Sequence, residues 1–397
     1  MEEVFVVSAA RTPGGRMGGA LKDVVPEELS RVVLEEVIRR TGLEKDRIDE
    51  VILGQAKQSA DAPNIARVAS LLAGFPESMP SYTVHRQCAS GLQALINGVF
   101  QIRSGYAEIV LVGGVESMST APFYLRKARF GYEAGNGELL DPNTESQPCS
   151  QPQETYGRLV MGMTAENLAE QWGISREEQD LFALESHRKA VDAIDSGRFA
   201  EEIVPVPVPR KKGQPALFET DEHPRRDTTL EKLASLRPAF KSGGTVTAGN
   251  SSGRNDGAAA LVLASERALE RCGLEPLARF VSMGAAGVDP RVMGIGPVPA
   301  TEAALRRAGL DVEDMGLVEL NEAFAAQSLA VVKSLKLDRS KVNVNGGAIA
   351  LGHPLGCSGA RITVTLLHEM RRRKERFGLA TICVAGGLGL AAVFQRV

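Results

Sequence analysis

Two thiols, an imidazole and an amide stand where short apolar runs of this chain give way to glycine or to a helix start. Cys88, in TVHRQCASGLQAL, follows the short run Ser81 to Val84. It precedes Ser90, from which Leu92, Leu95, Ile96, Val99 and Ile102 recur at helical spacing until Gly105. A lone cysteine is most often a small buried hydrophobe. At a helix N-terminus, however, free backbone N–H groups and the helix dipole favour a thiolate, which predicts a lowered pKa and a stronger nucleophile. His353 stands in the glycine-rich VNVNGGAIALGHPLGCSGAR, where it either shapes a turn or serves as a base. Asn321 and Glu322 follow the apolar start of VELNEAF, where the plain expectation is an N-cap. Cys383 ends the apolar run of ATICVAGGLGLAAVF, where a core cysteine is equally ordinary. Together they make a set suited to nucleophilic catalysis coupled to proton transfer.

Composition bounds the scaffold that must position them. A chain of 397 residues with 43% hydrophobic content has room for two or three domains, each with a full core. No apolar run reaches the roughly 18 residues of a spanning helix. The acidic start MEEVFVV lacks the basic region of a signal peptide, so a cytoplasmic setting without a membrane partner is expected. Five unevenly spaced cysteines form neither a disulfide framework nor a CxxC metal pattern. A net charge of −3 with both signs intermixed gives no electrostatic case for nucleic acid. The basic run Arg371 to Lys374 reads as solvated cations at a helix C-terminus.

The chain also contains itself twice. RRTGLEKDRIDEVILGQ, from Arg39, matches RRAGLDVEDMGLVELNE, from Arg306; each is a helix end at Gly-Leu, an acidic connection and a strand. Ser90-Gly91 and Ser358-Gly359 head equivalent helices, and EIVLVGG and TICVAGG are the apolar strands that follow them. Three matches in one order predict a duplicated unit of alternating strands and helices, hence two mainly parallel sheets packed about a pseudo-twofold axis. Pro26 and Gly42 bound one helix, and a second runs from near Pro299 to Gly309. The expected domains are residues 1–118, an inserted cap over 119–252, and 253–397, with 253–270 completing the first half. Within the cap, Ser175 and Glu178 form a capping-box pattern before a helix ending at Gly197. DPNTESQPCSQPQETYG is expected to be a surface loop, with Cys149 incidental. Ligands of such sheets bind at the carboxyl ends of strands, and the symmetry brings Cys88 and His353 face to face there.

QCASGLQA, GNSSGRNDGAA, NEAFAAQ, GGAIALGHPLGCSGAR and CVAGGLG, in this order across essentially the whole chain, resemble the signature segments of the thiolase family. The resemblance implies an α/β thiolase fold, a duplicated five-layered αβαβα with an inserted loop domain. It implies acyl transfer between acyl-CoA thioesters, as thiolysis of a 3-ketoacyl-CoA or condensation of two acetyl-CoA, within fatty acid and lipid metabolism. CoA is then a substrate, with no cofactor and no metal, and the assembly a homodimer or homotetramer. Two alternatives are a ketoacyl synthase and a non-catalytic acyl-CoA-binding scaffold.

By the same resemblance Cys88 carries the acyl group, His353 takes its proton and Cys383 is the acid and base at the α-carbon. His353 and a water held by Asn321 face the enolate oxygen, and the backbone N–H groups of Cys88 and Ala385 face the tetrahedral intermediate. Ala385 stands where the family commonly has glycine; a backbone donor survives, but a positive φ there would be strained. Arg225 is assigned to the adenine and phosphate end of CoA, Ala248 and Ser252 to the pantetheine, and Met161 to the acyl pocket. Val160 replaces a histidine typical of acetoacetyl-CoA thiolases, which predicts an acyl wall open to longer chains. If the pocket is closed instead, Phe123 and Tyr124 are its expected floor.

Overall fold

A computed structural model of the chain describes residues 2–210 and 213–397. The first half is built from β1 (Val4–Arg11), α1 (Pro26–Thr41), β2 (Glu50–Gly54), α2 (Ile65–Leu72), β3 (Ser81–Val84), α3 (Ser90–Arg103), β4 (Ile109–Ser117) and β5 (Asn255–Ser265). Between β4 and β5 lie α4 (Met161–Gln171) and α5 (Arg176–Asp195), with short helices and two small ribbons. The second half comprises β6 (Ala278–Gly287), α6 (Pro297–Ala308), β7 (Leu317–Leu320), α7 (Ala325–Leu335), α8 (Ala348–Leu351), α9 (Leu355–Arg373), β8 (Phe377–Val384) and β9 (Leu388–Arg396). Among the described residues no helix is long and apolar enough to cross a membrane.

Local chemistry sets the boundaries. Gly42 and Gly309 close α1 and α6 in the left-handed conformation, at φ of 68° and 65°, as the glycine positions predict. The second of these helices starts two residues before Pro299, at Pro297. Ser175 and Glu178 make both reciprocal bonds of the capping box on α5. Arg371 to Arg373 occupy the last turn of α9, solvent-exposed.

The strands follow the order β7-β8-β9-β6-β1-β5-β4-β2-β3. Within the sheet, among the described residues, the strands of the two halves pair at Phe5↔Arg279 and Val6↔Ala278, between β1 and β6. Within the first half β2 runs parallel to β3 and β4, while β5 is antiparallel to both β4 and β1. The second half repeats this, with β7 parallel to β8 and β9 antiparallel to β8 and β6. The expected mainly parallel sheet is thus corrected to a mixed one. Each half closes its crossover units with a strand that turns straight back, and a tight turn can join only antiparallel neighbours. In the second half that turn is Ala385 to Gly387; in the first, the same junction between β4 and β5 holds the inserted segment.

Alternation along each strand divides the core. Val110 and Val112 of β4, Leu261 and Leu263 of β5, Ile382 of β8 and Leu390 and Phe394 of β9 face inward on α3 and α9. Ile109 and Leu111 of β4 and Val262 of β5 face outward on α1 and α2, and Leu379, Ala391 and Val393 face outward on α6 and α7. With both faces of the strands covered, the layers run αβαβα. Buried Arg11 of β1 ties the insertion to this body, bonding Glu202 through Nε at 2.6 Å and Asp221 through both terminal guanidinium nitrogens.

Candidate active site

The two central helices bring the site together because their N-termini touch. A Cβ on Gly91 would lie 2.9 Å from Gly356 O, and one on Gly114 only 2.2 Å from that same oxygen. Gly54, ending β2, packs as closely on the Ser90 and Gly91 backbone, where any side chain would clash. Glu116, buried at the end of β4, accepts from the N–H groups of Ala56, Lys57 and Gly356 at 2.8–3.0 Å. A carboxylate thus seats the start of α9 against the loop leaving β2, in the orientation the helix dipole favours.

Cys88 lies in the tight turn between β3 and α3. Ser90 Oγ donates to Gln87 O at 2.6 Å and accepts from Arg86 N at 2.9 Å, and Gln87 adopts a φ of 44°. Contrary to the expectation of a lowered pKa, burial pushes the Cys88 thiol up. The N–H groups of Ala385 and of Cys88 itself, together with Lys57, offset the rise in part. Desolvation outweighs the helix terminus, so the resting group is a thiol.

His353 is buried, where Cys88 is only partly so, and has a fixed orientation. Its backbone N–H donates to Asn255 Oδ1 at 3.0 Å, and its Nδ1 lies 2.6 Å from Ser358 Oγ. The hydroxyl of Ser358 donates to Pro354 O at 2.8 Å, so its oxygen is left to accept from Nδ1–H. This assignment leaves Nε2 as a free lone pair. Burial, with Arg361 nearby, lowers the imidazole pKa to about 3 and keeps the ring neutral. Cys383, at the end of β8, is buried with its thiol pKa raised by desolvation and then by the neighbouring Cys88.

Ala385 avoids the feared strain, because the left-handed positions of the turn fall on Gly386 and Gly387, at φ of 90° and 81°. Asn321 is fully buried, and neither atom of its amide group meets a partner within the protein. Such a group demands a bond to water or ligand. Neither Asn321 nor Glu322 caps α7, which has no side-chain cap. Glu322 instead clamps Ser186, Asn343 and the Ile349 N–H.

One cavity of about 190 Å³ is lined by Cys88, His353, Cys383, Ala385, Met161 and Ser252. A second, of about 400 Å³, holds Arg225, Ala248 and Ser252, and the two share Phe240, Ser251, Ser252 and Gly253. Arg226, beside Arg225, is instead ion-paired with Asp195 at 2.7 Å. Asn321 does not itself line the first cavity, whereas Ala323, two residues on, does. Val160 does not line the cavity, contrary to expectation; it ends the approach to α4 and leaves Met161 to face inward. Phe123 and Tyr124 are solvent-exposed and form no floor. The expected surface loop over Asp141 to Gly157 folds into short turns of helix, because Asp141 and Gln147 cap and bridge it onto α4. Its Asn143, Ser146, Gln147 and Ser150 face the cavity, while Cys149 stays outside. Sequence reasoning passed over these four, and over Glu116, Lys57 and Met293, because nothing in their local spacing marks them.

The comparisons agree with this architecture. The thiolase N-terminal domain matches residues 4–267 and the thiolase C-terminal domain residues 274–396. An acetyl-CoA acetyltransferase of Pseudomonas aeruginosa is 49% identical over the full length of both chains. The Bacillus anthracis acetyl-CoA acetyltransferase superposes with a TM-score of 0.97 at 50% identity, over 100% of this chain and 99% of that one. Human mitochondrial 3-ketoacyl-CoA thiolase in complex with CoA gives 0.95 at 47% identity, over 100% and 98%. With both family domains matched over nearly its whole length, the chain belongs to the thiolase family.

Proposed function

We propose that this thiolase transfers its acyl group through a thioester on Cys88, with CoA and acyl-CoA as its only substrates. The observation that supports this most is the convergence, in one cavity, of Cys88, a neutral His353 and Cys383, with the Ala385 N–H on the Cys88 sulfur. In thiolysis, His353 Nε2 takes the Cys88 proton and the sulfur adds to the 3-keto carbon. The N–H groups of Cys88 and Ala385 hold the resulting oxyanion. The C2–C3 bond then breaks, and its electron pair becomes the enolate of acetyl-CoA. The enolate oxygen faces His353 and a water on Asn321, and Cys383 protonates the carbon. CoA sulfur attacks the acyl-Cys88, with its proton going to the base. Condensation of two acetyl-CoA is the same path reversed.

The second cavity is the CoA channel in this reading. Ala248 and Ser252 flank the pantetheine next to the reacting centre, and Arg225 meets the phosphates at the outer end. The chain works as a homodimer or homotetramer. The exposed apolar side chains of Phe123, Phe130 and Leu139, together in the insertion, and β3 at the open end of the sheet, are surfaces a second copy would cover.

Acyl-CoA added without acceptor, followed by digestion and mass measurement, should place the acyl mass on the peptide bearing Cys88. Label on Cys383 or Cys357 would overturn the assignment. Cys383→Ala should spare acyl exchange between CoA thiols, which needs no proton at carbon, while reducing thiolysis at least a hundredfold, about the lower bound for a lost general acid.

A further inference from the structure

The two pKa directions at the site set a problem. A proton must pass from a thiol that burial has raised to an imidazole that burial has lowered to about 3. Two backbone N–H groups supply partial charge beside the sulfur, yet neither offers a full positive charge in a desolvated site. The loop that leaves β2 does.

Gly54 packs against the Ser90 backbone, two residues from Cys88. Gln55 N donates to Val84 O at 3.1 Å, at the end of the strand that delivers Cys88. The loop is then fixed by Glu116, which accepts from the N–H groups of Ala56 and Lys57. Lys57 follows, with only 7% of its surface exposed and its ammonium bonded to Ser146 Oγ, a residue of the same cavity wall as Cys88. Buried ammonium groups are costly and are retained where they meet an anion.

We propose that Lys57 is a positioning residue of the reaction: a fixed cation that acts through Cys88 by favouring its thiolate. This rests on Cys88 being the acylated residue. The charged and titratable groups around the sulfur are Lys57 on the loop after β2, Glu116 on β4, His353 before α9 and Cys383 on β8. Arg254 and Asp141 lie farther out, beside Lys57. Glu116 opposes the thiolate, but its carboxylate is already held by three N–H donors, and Lys57 exceeds it in effect on Cys88. The coupling is mutual: burial lowers the Lys57 pKa, and Glu116 first, then Cys88, favour its charged form.

The test is the pH dependence of Cys88 alkylation by iodoacetamide, read on the Cys88 peptide in the full-length protein. Lys57→Met should move the midpoint up by about one pH unit and slow alkylation at neutral pH about tenfold, the effect of one nearby charge. Thiolysis kcat should fall while KM for CoA holds. Lys57→Gln keeps a donor for Ser146 without the charge and should behave as Lys57→Met does, whereas Lys57→Arg should restore the midpoint. An unmoved midpoint in Lys57→Gln, whatever its activity, overturns the inference even if acyl-Cys88 forms. Acyl label absent from Cys88 in the unmodified protein would instead defeat the reading beneath it.

Discussion

At the scale of single residues, the site depends on keeping three histidines uncharged, His353 and His187 buried and His223 half-buried. Ser358 holds the tautomer of His353, whose pKa falls to about 3, while burial takes His187 and His223, on the second cavity, to about 4. In the unfolded chain each titrates near about 6.5. Between that value and the folded one, the unfolded state binds the proton and the folded state does not, so stability rises with pH there and is lost as pH falls. Each histidine contributes up to about 1.4 kcal/mol per pH unit in that window. Thermal unfolding should therefore show Tm dropping from pH 7 to pH 5, before most carboxylates protonate. His353→Gln, which keeps the ring's volume without its titration, should lose less Tm over that interval. An equal slope in the variant would show that His353 is charged in the folded protein.

The elements that carry these residues were legible to unequal degrees. Helices with a proline or capping-box start and a glycine stop could be read directly, since those signals are local: α1 and α5 begin and end within two residues of expectation. The duplication was legible because β2 and β7, and then β4 and β8, repeat both order and composition. What the pattern could not reveal was strand direction, which depends on where a connection crosses rather than on its residues. The partner of β3 in the second half was also hidden, reduced to one bridge between Val318 and Val342, as its chain departs into the His353 loop. Cys88, His353 and Cys383 stood out because reactive side chains beside glycine are few, but Glu116 and Lys57 act across distant sequence and left no mark. The glycines themselves show the packing cost of the design. Gly114→Ala would force its Cβ into backbone of both central helices, with no flexible side chain to yield. It should cost about 1–3 kcal/mol by overpacking, measured by denaturant unfolding. Activity should fall further than that loss explains, since Cys88 and His353 would separate. Wild-type activity in a destabilised Gly114→Ala would show that the helices can part without disturbing the site.

The whole molecule assembles the Cys88 cavity from three sources, and this decides what the cavity can accept. Met118 comes from the first half, Met161 and Phe240 from the insertion, and Met293, Phe324 and Leu355 from the second half. No one of them forms a rigid end wall. Val160, from which a wider pocket was first expected, is not part of the wall, so the case rests on these side chains instead. Methionine thioethers adapt to irregular ligands at small cost, and three of the six are methionine. Each methylene buried against them is worth ~0.8 kcal/mol, so two further carbons would raise kcat/KM about tenfold if both are accommodated. The polar wall of Asn143, Ser146 and Gln147 bounds this gain, because an apolar chain long enough to reach it must strip water from groups it cannot bond. Six-carbon 3-ketoacyl-CoA should accordingly be cleaved at least as well as acetoacetyl-CoA, and the advantage should decline for much longer chains. Steady-state kcat/KM across a series of even-numbered substrates measures both limbs. A sharp fall between four and six carbons would mean that Met161 and Met293 are held too firmly to yield. Met161→Ala, by removing one of them, should then recover the six-carbon substrate selectively.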